Sequence, residues 1–126
     1  MRALIVDDSR AMRIFLKRAL AVCGFDTFLE AGDGREALAA LEASAAEPPS
    51  FAFVDWNMPV MSGLEFVQAV RADVAYNALP IVLVTSETAF EHIDAALAAG
   101  ADEYVMKPFT PEILAEKLAL VRATRT

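Results

Sequence analysis

Short apolar runs rich in β-branched residues alternate with longer, alanine-rich segments of helical period, and this alternation leaves few folds open. The runs are Ala3–Val6, Thr27–Leu29, Phe51–Val54, Ile81–Val84 and Tyr104–Met106. Consecutive apolar residues in so short a span suit strands buried on both faces, as in a parallel sheet. Between them lie Ser9–Cys23, Arg35–Ser44, Ser62–Ala72, Phe90–Ala99 and Pro111–Ala123, where apolar positions return every three or four residues. Boundary residues agree with this division. Gly24 and Gly100 follow helical segments, where a left-handed C-terminal cap favours glycine. Ser62 with Glu65 reads as a capping box, and Thr110-Pro111 as an N-cap with proline at the first helical position. Pro48-Pro49 closes the region after the second helix.

Five βα units in series predict an α/β fold. A five-stranded parallel sheet would be flanked on both faces by five helices and joined by right-handed crossovers. The 126 residues suit one domain, expected to span 1–126, and the 56% hydrophobic content is enough to fill its core. With 11 basic and 18 acidic residues the net charge is −7, which argues against a stand-alone binder of nucleic acid or of anionic membranes. Cys23 is the lone cysteine, so neither an internal disulfide nor a multi-cysteine zinc site is available. No apolar run approaches the roughly 20 residues of a membrane span. The first run, Ala3–Val6, is shorter than the roughly 7 residues of a minimal signal-peptide core. The expectation is a cytoplasmic protein with no membrane partner and no direct nucleic-acid partner.

In open parallel sheets, ligands bind beyond the carboxyl ends of the strands. The first strand ends in Asp7-Asp8, the third in Asp55, the fourth in Thr85-Ser86 and the fifth in Lys107-Pro108. One aspartate at a strand end is ordinarily a cap for the next helix, and Asp7 or Asp8 could serve the first helix in that way. Four strands ending in polar residues at one rim carry more meaning. Three carboxylates together would repel each other unless protonated or neutralised by a cation. An all-oxygen set without His or Cys suits a hard divalent ion such as Mg²⁺. A carboxylate kept anionic, Asp55, can attack phosphorus and form an acyl phosphate. The Lys107 ammonium and the Thr85 hydroxyl would then face the transferring oxygens.

These residues, in this order, resemble a response-regulator receiver domain. The matching pieces are Val6-Asp7-Asp8-Ser9, Val54-Asp55-Trp56-Asn57-Met58-Pro59, Met61-Ser62-Gly63-Leu64-Glu65, Val84-Thr85-Ser86-Glu87, and Ala99-Gly100-Ala101 through Tyr104 to Lys107-Pro108-Phe109. The likeness runs from about residue 2 to residue 122 and is greatest to single-domain chemotaxis regulators of the CheY type. It implies the strand order 2-1-3-4-5 of CheY-like, flavodoxin-like folds, which periodicity alone does not provide. It further implies a phosphorelay role in a two-component system. Asp55 would be the phospho-acceptor, in a phosphoprotein that assists its own labelling and dephosphorylation and is not otherwise an enzyme. Asp8, Asp55 and the backbone carbonyl of Asn57 would bind Mg²⁺, with Asp7 orienting the site through metal-bound water. Lys107 would pair with the phosphoryl group, next to a cis peptide to Pro108 that aims it inward. Thr85 would be the switch hydroxyl and Tyr104 the aromatic that turns between outward and inward rotamers. By the same resemblance, Ser86 would leave the phosphoryl group accessible, and Asn57 and Glu87 would tune the attack of water on it.

The resemblance names the partners as a sensor histidine kinase or histidine phosphotransfer domain, and a downstream target, the flagellar motor switch among the candidates. The donor is expected at the first helix, which carries Arg10, Arg13, Lys17 and Arg18 beside Met12, Ile14, Phe15, Leu16 and Leu20. The output surface is expected on the fourth helix, fifth strand and fifth helix, with Phe90, Ile93 and Leu97 as a candidate apolar patch. Near the start of the fourth helix the basic residues often found in motor-binding members are absent. His92 reads as a helix-surface residue, Trp56 as a partly exposed loop aromatic and Cys23 as a buried helix-end residue.

Three alternatives stand beside this reading. A receiver cut from a longer regulator with a DNA-binding or enzymatic output domain would share every motif. A haloacid-dehalogenase-type phosphatase places a second aspartate two residues after its nucleophile, whereas Asp7 and Asp8 are adjacent. A flavodoxin-like cofactor carrier needs a Ser/Thr/Gly-rich phosphate loop after the first strand, which is not present.

Overall fold

A computed structural model of the protein describes residues 1–86 and 90–125, the side chain of Phe90 excepted. The elements are β1 (Arg2–Val6), α1 (Arg10–Val22), β2 (Thr27–Ala31), α2 (Gly34–Ala43), β3 (Phe51–Asp55), α3 (Gly63–Arg71), β4 (Ile81–Thr85), α4 (Phe90–Ala99), β5 (Glu103–Met106) and α5 (Pro111–Thr124). A single 3-10 turn at Val74–Tyr76, not expected from the sequence, leads into β4. The five strands form one sheet, every pair parallel, in the order β2-β1-β3-β4-β5.

Alternation along the strands divides the core in two. Ala3, Ile5, Phe51, Phe53, Val82 and Val84 face α1 and α5, where Leu16, Leu20, Leu114 and Leu118 complete one cluster. Leu4, Val6, Val54, Ile81 and Leu83 face the other way, onto Leu41, Phe66, Val67, Val70 and Ala96 of α2, α3 and α4. Burying a phenylalanine such as Phe53 or Phe66 completely contributes about 2–3 kcal/mol of hydrophobic stabilisation. Burial on both faces holds for β3 and β4 and for all of β1 beyond Arg2. It fails for β2 and β5, which are the sheet's edges and keep only Ala31 and Val105 fully buried. Helices cannot cover an edge strand as they cover a central one.

The caps form as the sequence indicates. Ser62 and Glu65 make the reciprocal capping box of α3, and Thr110 accepts the Ile113 N–H ahead of Pro111. Gly24 and Gly100 take φ of 102° and 121° after α1 and α4. Helix α1 corrects one expectation: its N-cap is Ser9, which accepts the Met12 N–H, rather than Asp7 or Asp8.

A polar clamp closes the end of the sheet away from the aspartates. Asp102 accepts the Ile81 N–H at 2.7 Å, Arg71 Nη2 at 3.1 Å and Arg125 Nε at 2.8 Å. Arg71 also donates to the carbonyls of Gly100, Tyr76 and Leu79, so one guanidinium ties α3 to the end of α4 and to the turn before β4. The Asp102 and Arg71 side chains are each 15% exposed. Removing the carboxylate takes the anionic partner from two arginines and the side-chain acceptor from a strand N–H. Asp102→Ala is therefore expected to lower unfolding free energy by about 2–3 kcal/mol in urea titration. A loss within experimental error would show the clamp to be energetically idle.

Candidate functional site

The carboxyl ends of β1, β3, β4 and β5 bring the expected residues together. Asp7 and Asp55 are buried, at 1% and 8% exposure, and Asp8 is exposed beside them. One carboxylate oxygen from each of the three lies within 4.8 Å of the others. The Lys107 ammonium is 3.2 Å from Asp7 Oδ2 and 3.2 Å from Asp55 Oδ1. Thr85 ends β4, its side chain buried, and its carbonyl accepts the Lys107 N–H at 2.8 Å. The Lys107-Pro108 peptide is cis.

Local structure fixes each side chain. The Asp7 backbone N–H donates to the Ala31 carbonyl, and Asp7 Oδ1 accepts the Ser9 N–H at 2.8 Å. Arg13, one turn into α1, donates to the Asp7 carbonyl at 2.6 Å. The sequence placed Arg13 only on a basic face; its position on the first turn after Asp7 was the available signal. Asp55 is the last residue of β3, and the loop beyond it is held at several points. Gly63 N–H donates to the Trp56 carbonyl, and Gly34 N–H to that of Met61. The Met61 N–H reaches back to the Pro59 carbonyl across Val60, whose φ is 66°. A β-branched residue in the left-handed region is strained, and the loop holds it there. Asn57 lies exposed in this loop, two residues past Asp55.

The charges do not balance. Burial pushes the Asp55 carboxyl up from its ordinary range. Lys107 pulls it back down, and the negative charges of Asp7 and Asp8 raise it further. Three carboxylates face one ammonium, an all-oxygen set that could hold a metal ion.

Around the site several expectations change. Glu87 lies outside the described residues. Ile93 is 4% exposed and belongs to the core, so it does not extend an apolar patch with the exposed Leu97. His92 is exposed on α4, as expected, but stacks on Trp56 with ring centroids 5.0 Å apart and planes 12° apart. Half of the basic face of α1 is occupied: Arg13 and Lys17 pair with Glu30 on β2 at 3.1 and 2.9 Å. Arg10 and Arg18 remain exposed, beside exposed Ile14, Phe15 and Val22. Cys23 is half-buried rather than buried, capping α1, and burial pushes its thiol pKa up. Tyr104 is half-buried on β5, opposite Leu83, with Met106 opposite Thr85.

With this geometry in hand, likeness to known proteins is decisive. The response regulator receiver domain family matches residues 3–119. The chain belongs to that family. Chemotaxis protein CheY1 of Helicobacter pylori is 43% identical over 124 residues, 98% of each chain. A crystal structure of the Vibrio cholerae chemotaxis protein CheY4 superposes with a TM-score of 0.82 at 38% identity, covering 95% of this chain and 97% of that one. A protein described as a probable two-component system response regulator/GGDEF domain protein superposes with a TM-score of 0.87 at 27% identity, over 99% of this chain but 50% of the other. The protein is thus a two-component receiver domain with CheY-like chemotaxis relatives, a type that works as a signalling module rather than as an enzyme. Among the described residues, no helix of this receiver is long and apolar enough to cross a membrane.

Proposed function

We propose that this receiver, taken as one unit over residues 1–126, is a phosphorylation-controlled binding module with Asp55 as its acceptor. An Asp55 oxygen attacks the phosphorus of a phosphohistidine on a sensor histidine kinase or histidine phosphotransfer domain. The P–N bond breaks, its electron pair returns to the imidazole nitrogen, and that nitrogen takes a proton from solvent. The observation that carries this reading is the Lys107 ammonium, 3.2 Å from both Asp7 and Asp55 at the rim of the sheet. It sits where it can pair with oxygens added to Asp55.

The residues fit a divalent cation of the Mg²⁺ class, because three carboxylates outweigh one ammonium and all the donors are oxygen. Asp7, Asp8, Asp55 and the Asn57 carbonyl would hold it, and when bound it would neutralise charge developing on the phosphoryl oxygens. Thr85 then closes on the new phosphoryl group, Tyr104 turns into the space behind it, and the α4–β5–α5 surface changes. Both arrangements exist beforehand, and phosphorylation shifts their populations. Asn57 and Glu87 set how fast water removes the group. The donor docks at α1, where Ile14, Phe15 and Val22 are exposed near Arg10 and Arg18. The chemotaxis relatives support a cytoplasmic chemotaxis pathway, with the flagellar motor switch as a candidate target. A second reading, a receiver joined to an output domain, is favoured by the likeness to one half of the GGDEF-containing regulator.

Incubation with acetyl phosphate and magnesium chloride should add one phosphoryl group to the intact chain. Peptide mapping after borohydride trapping should place it on Asp55. No adduct, or an adduct elsewhere, would remove the basis of this reading.

A further inference from the structure

At the edge strand β5, Glu103 and Lys117 of α5 form with Tyr104 a cluster whose two charged members the acceptor site does not use. Glu103 Oε1 accepts the Tyr104 backbone N–H at 2.9 Å and the Lys117 ammonium at 3.3 Å. That ammonium lies over the Tyr104 ring, 4.5 Å from its centroid. Lys117 comes from the second turn of α5, on the other side of the sheet from the α4-side cluster against which Tyr104 packs. A cation from α5 can reach this ring around the sheet because β5 is an edge strand. One carboxylate oxygen thus fixes both the strand's free N–H and the cation above the aromatic face. The Glu103 and Lys117 side chains are 20% and 25% exposed, so solvent screens the pair only in part.

We infer that Lys117, anchored by Glu103, is a positioning residue that holds the Tyr104 ring at the sheet edge in the resting receiver. The inference rests on the reading of Tyr104 as the moving aromatic. A cation over a ring face is attracted by the ring's quadrupole, and the attraction ends when the ring leaves. Turning inward toward Thr85 takes the Tyr104 face away from Lys117 while Glu103 stays fixed to the strand. The contact therefore exists in one state of the switch and is lost in the other. An interaction confined to one state biases the equilibrium by its own free energy and sets how strongly a phosphoryl group must pull to reverse it. Lys117 and Glu103 are in this view the resting-state counterweight to Lys107 and Thr85.

The test uses the full chain carrying 3-fluorotyrosine, with Tyr76→Phe so that Tyr104 alone reports by fluorine NMR. Lys117→Met keeps most of the aliphatic stem and removes the charge. It should raise the inward population of Tyr104 without phosphoryl analogue by about two- to fivefold, the factor a partly exposed cation–π contact represents. Affinity for beryllofluoride with magnesium should rise by the same factor, because the two equilibria are linked. Lys117→Arg keeps a cation over the ring and should restore both values. A purely structural role would lower the melting temperature without moving the Tyr104 signal. An unchanged fluorine spectrum in Lys117→Met, or a shift toward the edge state, overturns the inference. If beryllofluoride leaves the Tyr104 signal unmoved in the unsubstituted chain, the switch reading itself fails, and the role of Lys117 fails with it.

Discussion

Asp55→Asn should abolish phosphoryl labelling and at the same time make the protein harder to unfold at neutral pH. Loss of labelling follows from chemistry, since an amide oxygen cannot form the mixed anhydride with phosphorus. The gain in stability follows from the site's electrostatics. Burial raises the Asp55 pKa, Lys107 opposes this, and the neighbouring Asp7 and Asp8 add to it. The folded chain therefore holds the Asp55 proton more tightly than the unfolded chain does. Stability from this group is complete below its unfolded pKa and is lost as pH rises through the folded value. At pH 7 the unsubstituted protein bears the whole unfavourable term, whereas asparagine bears none. Lys107 keeps Asp7 as a partner in the variant, so no buried ammonium is stranded. Urea titrations should show Asp55→Asn more stable than the unsubstituted chain at pH 7, with the difference shrinking as pH falls through the carboxylate range. Magnesium chloride should narrow the gap at pH 7 by stabilising the three-carboxylate site selectively. A variant less stable than its parent at pH 7 would mean that Asp55 is held by favourable contacts, contrary to the charge imbalance argued here.

Legibility from sequence followed the reach of each interaction. Strand ends were readable because the runs ending at Val6, Val54, Val84 and Met106 stop abruptly at polar residues. Caps were readable because Ser62 with Glu65, and Thr110 with Pro111, act over three residues. The strand order came from family resemblance, since periodicity says nothing about which strands are neighbours. The clamp of Arg71, Asp102 and Arg125 joins residues far apart in the chain, and none of them announces a partner locally. The same holds for Glu30, which withdraws Arg13 and Lys17 from the basic face of α1, and for His92 against Trp56. The two edge strands could be told from the central ones only after the order was known, although the Glu30 in β2 was a hint.

Gly63→Ala is expected to damage fold and site together. A Cβ at Gly63 would lie 2.3 Å from the Asp55 carbonyl oxygen and 3.0 Å from the Trp56 Cα. Both neighbours are backbone, so neither can swing aside as a side chain would. Gly63 also opens α3 directly after its Ser62 cap, and its N–H donates to the Trp56 carbonyl at 3.0 Å. Relief of the clash must therefore move either the start of α3 or the Asp55 peptide. Stability should fall by about 2–4 kcal/mol in urea titration. Labelling by acetyl phosphate should slow by about 10–100-fold, because reacting groups displaced by an ångström lose much of their alignment. Gly34→Ala is the matched comparison. Its Cβ would meet Met61 Cγ at 2.6 Å and Met61 Cβ at 2.9 Å, side-chain atoms rather than the Asp55 peptide, and Gly34 also begins a helix, α2. Stability should fall there too, because Met61 Cβ cannot swing away as the thioether can, but labelling should change little because the contact leaves the Asp55 peptide in place. Equal slowing of labelling at the two glycines would show that the backbone approach at Asp55 does not set the geometry of the proposed acceptor. A large effect confined to Gly63 would show that the acceptor's place depends on the one residue type without a side chain at the mouth of α3.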